Sequence, residues 1–204
     1  MERETFTLMT GTMIAREEGL KLLDANIADL SMRKHLIAVS AVMRKLAEMQ
    51  GEDADLWEAV GLLHDLDLEK LEKEEAAGGL PVMTRHGRVS AEMLKGSMPE
   101  EGLHAIMAHN EEGTGIKAEK PIDHAIVAAD AVSGIITAAA LVMPHKTLAE
   151  VKASSLRKRF NDKSFARNVD RNRILYCTKL GMTLEDFFVV SLGAMQGIRE
   201  ELGL

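Results

Sequence analysis

Ala59-Val60-Gly61-Leu62-Leu63-His64-Asp65-Leu66-Asp67 is an apolar run that ends in an adjacent imidazole and carboxylate. Read as the end of a helix, it sets polar side chains against a core that has no water to offer them. Burying such groups unpaired costs several kcal/mol. A divalent metal satisfies both at once, and the chain carries further donors: His35 upstream, then His86, His109 and Asp130 downstream.

Around this stretch the sequence reads as helix. Leu36, Val39, Val42, Met43 and Leu46 recur at helical spacing, and Gly51 ends that run. Asp53 is a predicted N-cap for a helix through Trp57 and Val60 to Asp65. The charged residues 69–79, ending in Gly78-Gly79 before Pro81, predict a short helix or loop. Helices are expected over 86–94 and 101–108, with a loop over 111–115. Pro121 opens a long central helix that stops near Pro144, and two or three helices follow, the last over 183–201. Ala, Leu and Met are abundant, while the aromatic and β-branched residues of a sheet protein are scarce. The fold class is therefore all-α. Neither a repeat nor a linker interrupts it, so one domain over 1–204 is expected, with about 147–204 as a helical extension.

Composition bounds the function. At 46% apolar residues over 204 positions, the chain can build a core of ordinary domain size. A net charge of −7 argues against a general nucleic-acid binder. The lone Cys177 excludes an intramolecular disulfide and fits a reducing compartment. Met1-Glu2-Arg3-Glu4 is followed by no apolar stretch of the kind a signal peptide needs. Residues 122–143 are apolar and about long enough to span a bilayer, but they contain Asp123, His124 and Asp130, which are costly in lipid. A buried helix explains the run better, and a cytoplasmic protein with no membrane partner is expected.

Imidazole and carboxylate together suit a first-row transition ion such as Fe, Mn, Ni, Co or Zn better than Ca or Mg. One ion could be held by His35, His64, Asp65 and Asp130. Adding His86 and His109 gives donors for two, with Asp65 bridging. A metal pair can bind a phosphate, generate hydroxide near neutral pH and stabilise a leaving oxygen.

The order of these residues resembles the HD superfamily of metal-dependent phosphohydrolases, whose pattern of His, His-Asp and distant Asp falls on His35, His64-Asp65 and Asp130. His86 and His109 match the two additional histidines of its two-metal members. Leu62-Leu63-His64-Asp65-Leu66-Asp67, Ala108-His109-Asn110 and residues 129–138 and 163–171 are similar to a bacterial and archaeal branch of HD hydrolases. The resemblance implies an HD-type helical bundle that binds one or two divalent transition-metal ions. It also implies hydrolysis of a phosphoester, in a nucleotide or another small phosphorylated metabolite, through a metal-activated hydroxide. His35, His64, Asp65, His86, His109 and Asp130 would be the ligands, and Asp65, Asp67 and Lys70 the catalytic groups. The chain departs from the pattern after His-Asp: Leu66-Asp67 stands where many relatives have Ile-Gly, and Lys70 is displaced from the usual lysine. The Gly-Tyr-Pro signature of cyclic-dinucleotide phosphodiesterases is missing from residues 110–116, which argues against that substrate. Two rival functions use the same donors: a di-iron oxygenase, and a non-catalytic nucleotide- or phosphate-binding module.

Other residues have plainer readings. Alone, His35 would be a helix-face histidine capping a carbonyl. His104 lies five residues before His109 and so on a different helix face, at the surface or behind the ligands. His124 and His145 read as structural or solvated, and Met43 and Met49 as core filler. Residues 152–173 carry Lys152, Arg157, Lys158, Arg159, Lys163, Arg167, Arg171 and Arg173 against Asp162 and Asp170. This stretch is either a solvated helix face or a source of phosphate-binding side chains. For the second role the candidates are Lys163, Arg167 and Arg171, with Lys163 and Arg167 sharing a helix face. Only Phe160 and Phe165 could stack on bases, so nucleic acid is disfavoured there.

Overall fold

Two 21-residue helices, α2 (Leu30–Gln50) and α8 (Pro121–Leu141), pack on one another and carry the rest. The computed structural model describes residues 13–204, so the reading of Met1-Glu2-Arg3-Glu4 lies outside the described residues. α1 (Arg16–Asn26) precedes α2. α2 starts at Asp29, whose side chain accepts the Ser31 N–H, and stops at Gly51 in the left-handed region. Its buried stripe is the predicted one, including Leu36, Val39, Val42, Met43 and Leu46.

α3 (Ala54–Leu63) makes the most extensive packing with α2. Asp53 caps it as predicted, accepting from the N–H groups of Asp55 and Leu56 at 3.0 Å each. Every residue from position 56 to 63 is buried, so α3 runs through the core instead of along its surface. The two backbones meet at Gly61, where a Cβ would lie 2.8 Å from Ser40 Cα. Only glycine allows that approach.

α4 (Leu68–Ala76) follows a turn, and α5 (Arg88–Met93) and α6 (Glu100–Ala108) pack together, α6 also against α3 and α8. The charged stretch is thus a helix. Residues 111–114 form one helical turn, α7 (Glu111–Thr114), where a loop was expected. Its Thr114 hydroxyl lies within hydrogen-bond reach of the Met107 and Asn110 carbonyls, and Gly115 ends it at φ 71°.

Pro121 stands at the first turn of α8, and Asp123 accepts the Glu119 and Lys120 N–H groups at 3.0 and 2.9 Å. α8 is long and apolar enough to cross a bilayer, but 67% of its most apolar window is buried inside the fold. It serves as a core helix, as its carboxylates predicted. After it, α9 (Ala153–Asn161), α10 (Arg171–Ile174), the 3-10 turn Leu175–Leu180, α11 (Leu184–Gly197) and α12 (Arg199–Leu202) close over α2 and α8. The expected last helix is split, because Ile198 at φ −114° and ψ 19° breaks the ladder. One hydrophobic core runs from Ile14 to Leu202 and includes the fully buried Phe187 and Phe188. Among the described residues there is no strand.

Candidate metal centre

The six sequence-predicted donors come together where α2, α3, α6 and α8 meet the turn before α5. His35 sits in the first two turns of α2 and Asp130 midway along α8. His64 and His109 each occupy the position just after a helix, α3 and α6. That placement has a physical reason. The last carbonyls of a helix lack intrahelical partners, and each ring turns its Nδ1 back onto one of them. His64 Nδ1 donates to the Gly61 carbonyl at 2.9 Å, and His109 Nδ1 donates to that of Ile106. Both helix C-termini therefore face the cluster, and their dipoles favour a cation there.

The other two rings are held in the same sense. His86 Nδ1 donates to Asp67 Oδ1 at 2.7 Å. The Ser133 hydroxyl donates to the Asp130 carbonyl at 2.8 Å, which leaves its oxygen to accept from His35 Nδ1 at 3.1 Å. With Nδ1 engaged in all four rings, the Nε2 atoms are the ones turned to the carboxylates, as lone pairs wherever the ring is neutral. Three of them converge on Asp65 Oδ1: His64 at 3.3 Å, His86 at 3.1 Å and His109 at 3.2 Å. His86 Nε2 and His109 Nε2 are 3.0 Å apart. His35 Nε2 lies 3.2 Å from Asp130 Oδ1. Buried His64 Nε2 has no hydrogen-bond partner among the described residues.

Lone pairs facing a carboxylate in a dry site repel unless a cation lies between them. The donors fit a metal by this test. Two sets have their ligand atoms within 4.8 Å of one another, His35, His64 and Asp130 in one and His64, Asp65 and His109 in the other, so the cluster can hold a metal ion. Without a cation, protons do this work, and a metal would displace the one on His86 Nε2. Burial opposes the charge of Asp65, but His64, His109 and His86 outweigh it and hold the carboxyl well below its usual range. Burial likewise works against Asp130, and His35, His64 and Arg173 keep it depressed. Burial pushes His64 down to about 4 despite Asp65. His86 goes the other way, to about 10, because Asp65 and Asp67 overcome its burial.

Asp67 is fully buried behind His86. Its Oδ2 accepts the N–H groups of Gly87 and Ser90 at 2.9 Å each, and its own N–H donates to Ser90 Oγ at 3.0 Å. The carboxylate thus caps α5 from a distant part of the chain and fixes His86, and it does not line the cavity. Gly87 completes the turn: its φ is +80°, and a Cβ would sit 2.9 Å from the Ile106 carbonyl. Lys70 is exposed on α4 and does not line the cavity beside the cluster.

That cavity has a volume of about 950 Å³ and opens over His35, His109 and Asp130. Its other wall comes from the basic segment, but not from the residues singled out there. Lys163 and Arg167 are exposed and outside the lining, and residues 162–169 form turns, so the shared helix face is corrected. Arg171 also stays outside, its guanidinium tied to the carbonyls of Asp162, Phe165, Ala166 and Val169. The segment's cation in the cavity is Arg173, whose Nη2 donates to Asp130 Oδ2 at 2.8 Å. His104 pairs with Asp123 at 3.1 Å, His124 lies against Tyr176, and exposed His145 pairs with Glu150, so none of these joins the cluster.

Sequence reasoning gave no role to Asn110, Ser133 and Arg173. Asn110 Nδ2 donates to the Met83 and His86 carbonyls at 2.9 and 3.0 Å, tying the His86 turn to the His109 helix. Its position beside His109, and that of Ser133 one turn after Asp130, were signals available in the sequence.

Residues 32–134 match the family model of the HD domain, and the chain belongs to that family. The match contains all six donors and ends before Arg173. Ribonuclease Y of Rhodopirellula baltica is similar to this chain, 34% identical over 101 residues, which is 49% of this chain and 17% of that protein. The chain thus corresponds to a small part of that relative. No solved structure matches.

Proposed function

We propose that this protein is a metal-dependent phosphohydrolase acting on a small phosphorylated molecule, a nucleotide among the candidates. The observation that carries this reading is the convergence of three imidazole Nε2 atoms on Asp65 Oδ1 at 3.1–3.3 Å, beside a cavity large enough for a small-molecule substrate. His35, His64, Asp65, His86, His109 and Asp130 would hold one or two divalent transition ions, with Asp65 between them. Such an ion, when bound, acidifies a water and draws charge from a phosphoryl oxygen. The chain's part is orientation: anchored Nδ1 atoms stop the rings from rotating, and Asp67 keeps His86 in register.

A small substrate is favoured over RNA, although the similar ribonuclease acts, by its name, on RNA. Glu111, Glu112 and Asp170 line the cavity, and the chain carries a net charge of −7, both unfavourable to a polyanion. A cytoplasmic setting accords with the lone buried Cys177.

Elemental analysis of protein purified without chelator, beside a His86→Ala/His109→Ala double variant, tests the ligand set. About two equivalents of transition metal falling towards one support a pair. No metal after reconstitution overturns the reading. Iron with an oxygen-dependent spectral change would favour oxygenase chemistry, and tight phosphate binding without turnover a non-catalytic module. Release of phosphate from a panel of phosphoesters is the decisive assay.

A further inference from the structure

The cavity over the metal centre has a wall that the family match does not reach. Residues 168–176 supply it with Asn168, Val169, Asp170, Asn172, Arg173 and Tyr176. This wall is rigidly built. Arg171 gathers the carbonyls of the preceding turns, and Asp170 caps α10 by accepting the Asn172 N–H at 2.8 Å.

Arg173 stands on this wall with its valences unevenly used. Among the described residues, one of its five N–H donors has a protein acceptor, Asp130 Oδ2 at 2.8 Å, and its buried Nε has none. A guanidinium offers a planar fork that suits a phosphate or carboxylate. Here one arm is fixed by a carboxylate that also faces His35, and the residue belongs to the cavity lining. Once a cation draws on the charge of Asp130, that carboxylate neutralises Arg173 less, and its field reaches the chamber. The other cation in the lining is Lys117, which is exposed.

We infer that Arg173 is the anion-binding residue of this cavity, held by Asp130 at one arm and presenting its free N–H groups to an oxyanion of the bound ligand. The identity of that oxyanion as a phosphoryl group rests on the function proposed above; the anion site itself does not. The assignment gives the C-terminal segment a direct part in the site, and makes Arg173 the bridge between metal ligand and ligand anion.

The test is calorimetric binding of inorganic phosphate to manganese-loaded wild type, Arg173→Met and Arg173→Lys, with metal content measured on the same samples. Arg173→Met should bind phosphate about tenfold or more weakly per loaded site, the range expected for a lost hydrogen bond between charged groups. Arg173→Lys, which keeps the charge and can still reach Asp130, should recover part of that loss. With p-nitrophenyl phosphate as substrate, KM should rise more than kcat falls in Arg173→Lys. Phosphate affinity per loaded site within twofold of wild type in Arg173→Met would overturn the assignment. So would a loss of affinity that merely follows loss of manganese in both variants, because Arg173 would then serve Asp130 alone. Wild type that binds no phosphate at millimolar concentration would overturn it as well. Wild type that binds phosphate through Arg173 but hydrolyses no phosphoester would leave the anion site standing and remove the hydrolase reading.

Discussion

Asp67 and His86 are joined at 2.7 Å, the carboxylate accepting the Nδ1 proton of a ring whose Nε2 faces Asp65. The other oxygen of Asp67 accepts the N–H groups of Gly87, just before α5, and of Ser90 in its first turn. One side chain therefore fixes the tautomer of a metal-facing histidine and the start of the helix that follows it. Partners of this kind typically contribute 10–100-fold to metal affinity. Asp67→Asn should lower affinity for manganese by about that factor, measured by equilibrium dialysis. An unchanged affinity would show that His86 is outside the ligand set or is oriented by something else.

Metal removal should be visible as a change in stability. An ion that binds only the folded chain contributes about 2.7 kcal/mol at 100 times its dissociation constant. For a chain of this size that corresponds to a melting temperature about 5–11 °C higher with manganese than with excess chelator. Scanning calorimetry of His64→Ala, which removes the donor common to both ligand sets, should show this difference shrinking.

Gly61 sets the spacing between His35 on α2 and His64 at the end of α3. A Cβ there would meet Ser40 backbone atoms at 2.8–2.9 Å, and backbone cannot move aside as a side-chain tip can. Gly61→Ala should cost about 1–3 kcal/mol, the usual cost of overpacking. Urea unfolding measures it, and metal affinity should fall in parallel because the two histidines are pushed apart.

Glu69 ties the turn before α2 to α4, its Oε1 accepting the Ala28 and Asp29 N–H groups at 2.7 Å each. The Asp29 N–H does most to hold its pKa below the ordinary glutamate value, with smaller help from Ala28 and Lys73 against modest desolvation. A depressed folded-state pKa means stability that is present above the unfolded value, about 4.3, and is lost as pH falls through the folded value. Glu69→Gln should therefore be less stable than wild type by about 1 kcal/mol at pH 7, and the gap should narrow as pH falls below about 4.3 through the depressed folded-state value. A gap that does not change with pH would mean that packing, not charge, makes the contribution.

The helices and the candidate donors were legible in the sequence for the same reason. Apolar spacing along α2 and α3 and the caps at Asp53 and Gly51 are local properties, and so is the order of His35, His64-Asp65, His86, His109 and Asp130. What escaped the sequence depends on distant contacts. Asp67 caps a helix that starts 21 positions later, which no window of sequence displays. α7 is a turn held by Thr114 in a glycine-rich stretch that resembles a loop. In the basic segment, charge alone could not separate Arg171, occupied by carbonyls, from Arg173, directed at Asp130. Two residues of the same type, two positions apart, differ only in what the fold brings to them.

The C-terminal wall of the cavity has a wider consequence. The floor of the chamber is cut from the stretch that contains every candidate donor, and the facing wall from residues 168–176, which pack on α8 and reach Asp130 through Arg173. The candidate donors and the facing wall thus lie on separate portions of the chain. Changes in the second can alter which molecules are admitted while the reactive centre keeps its composition. Proteins that align with this one only over residues 32–134 would share the candidate donors and lack the wall that faces them.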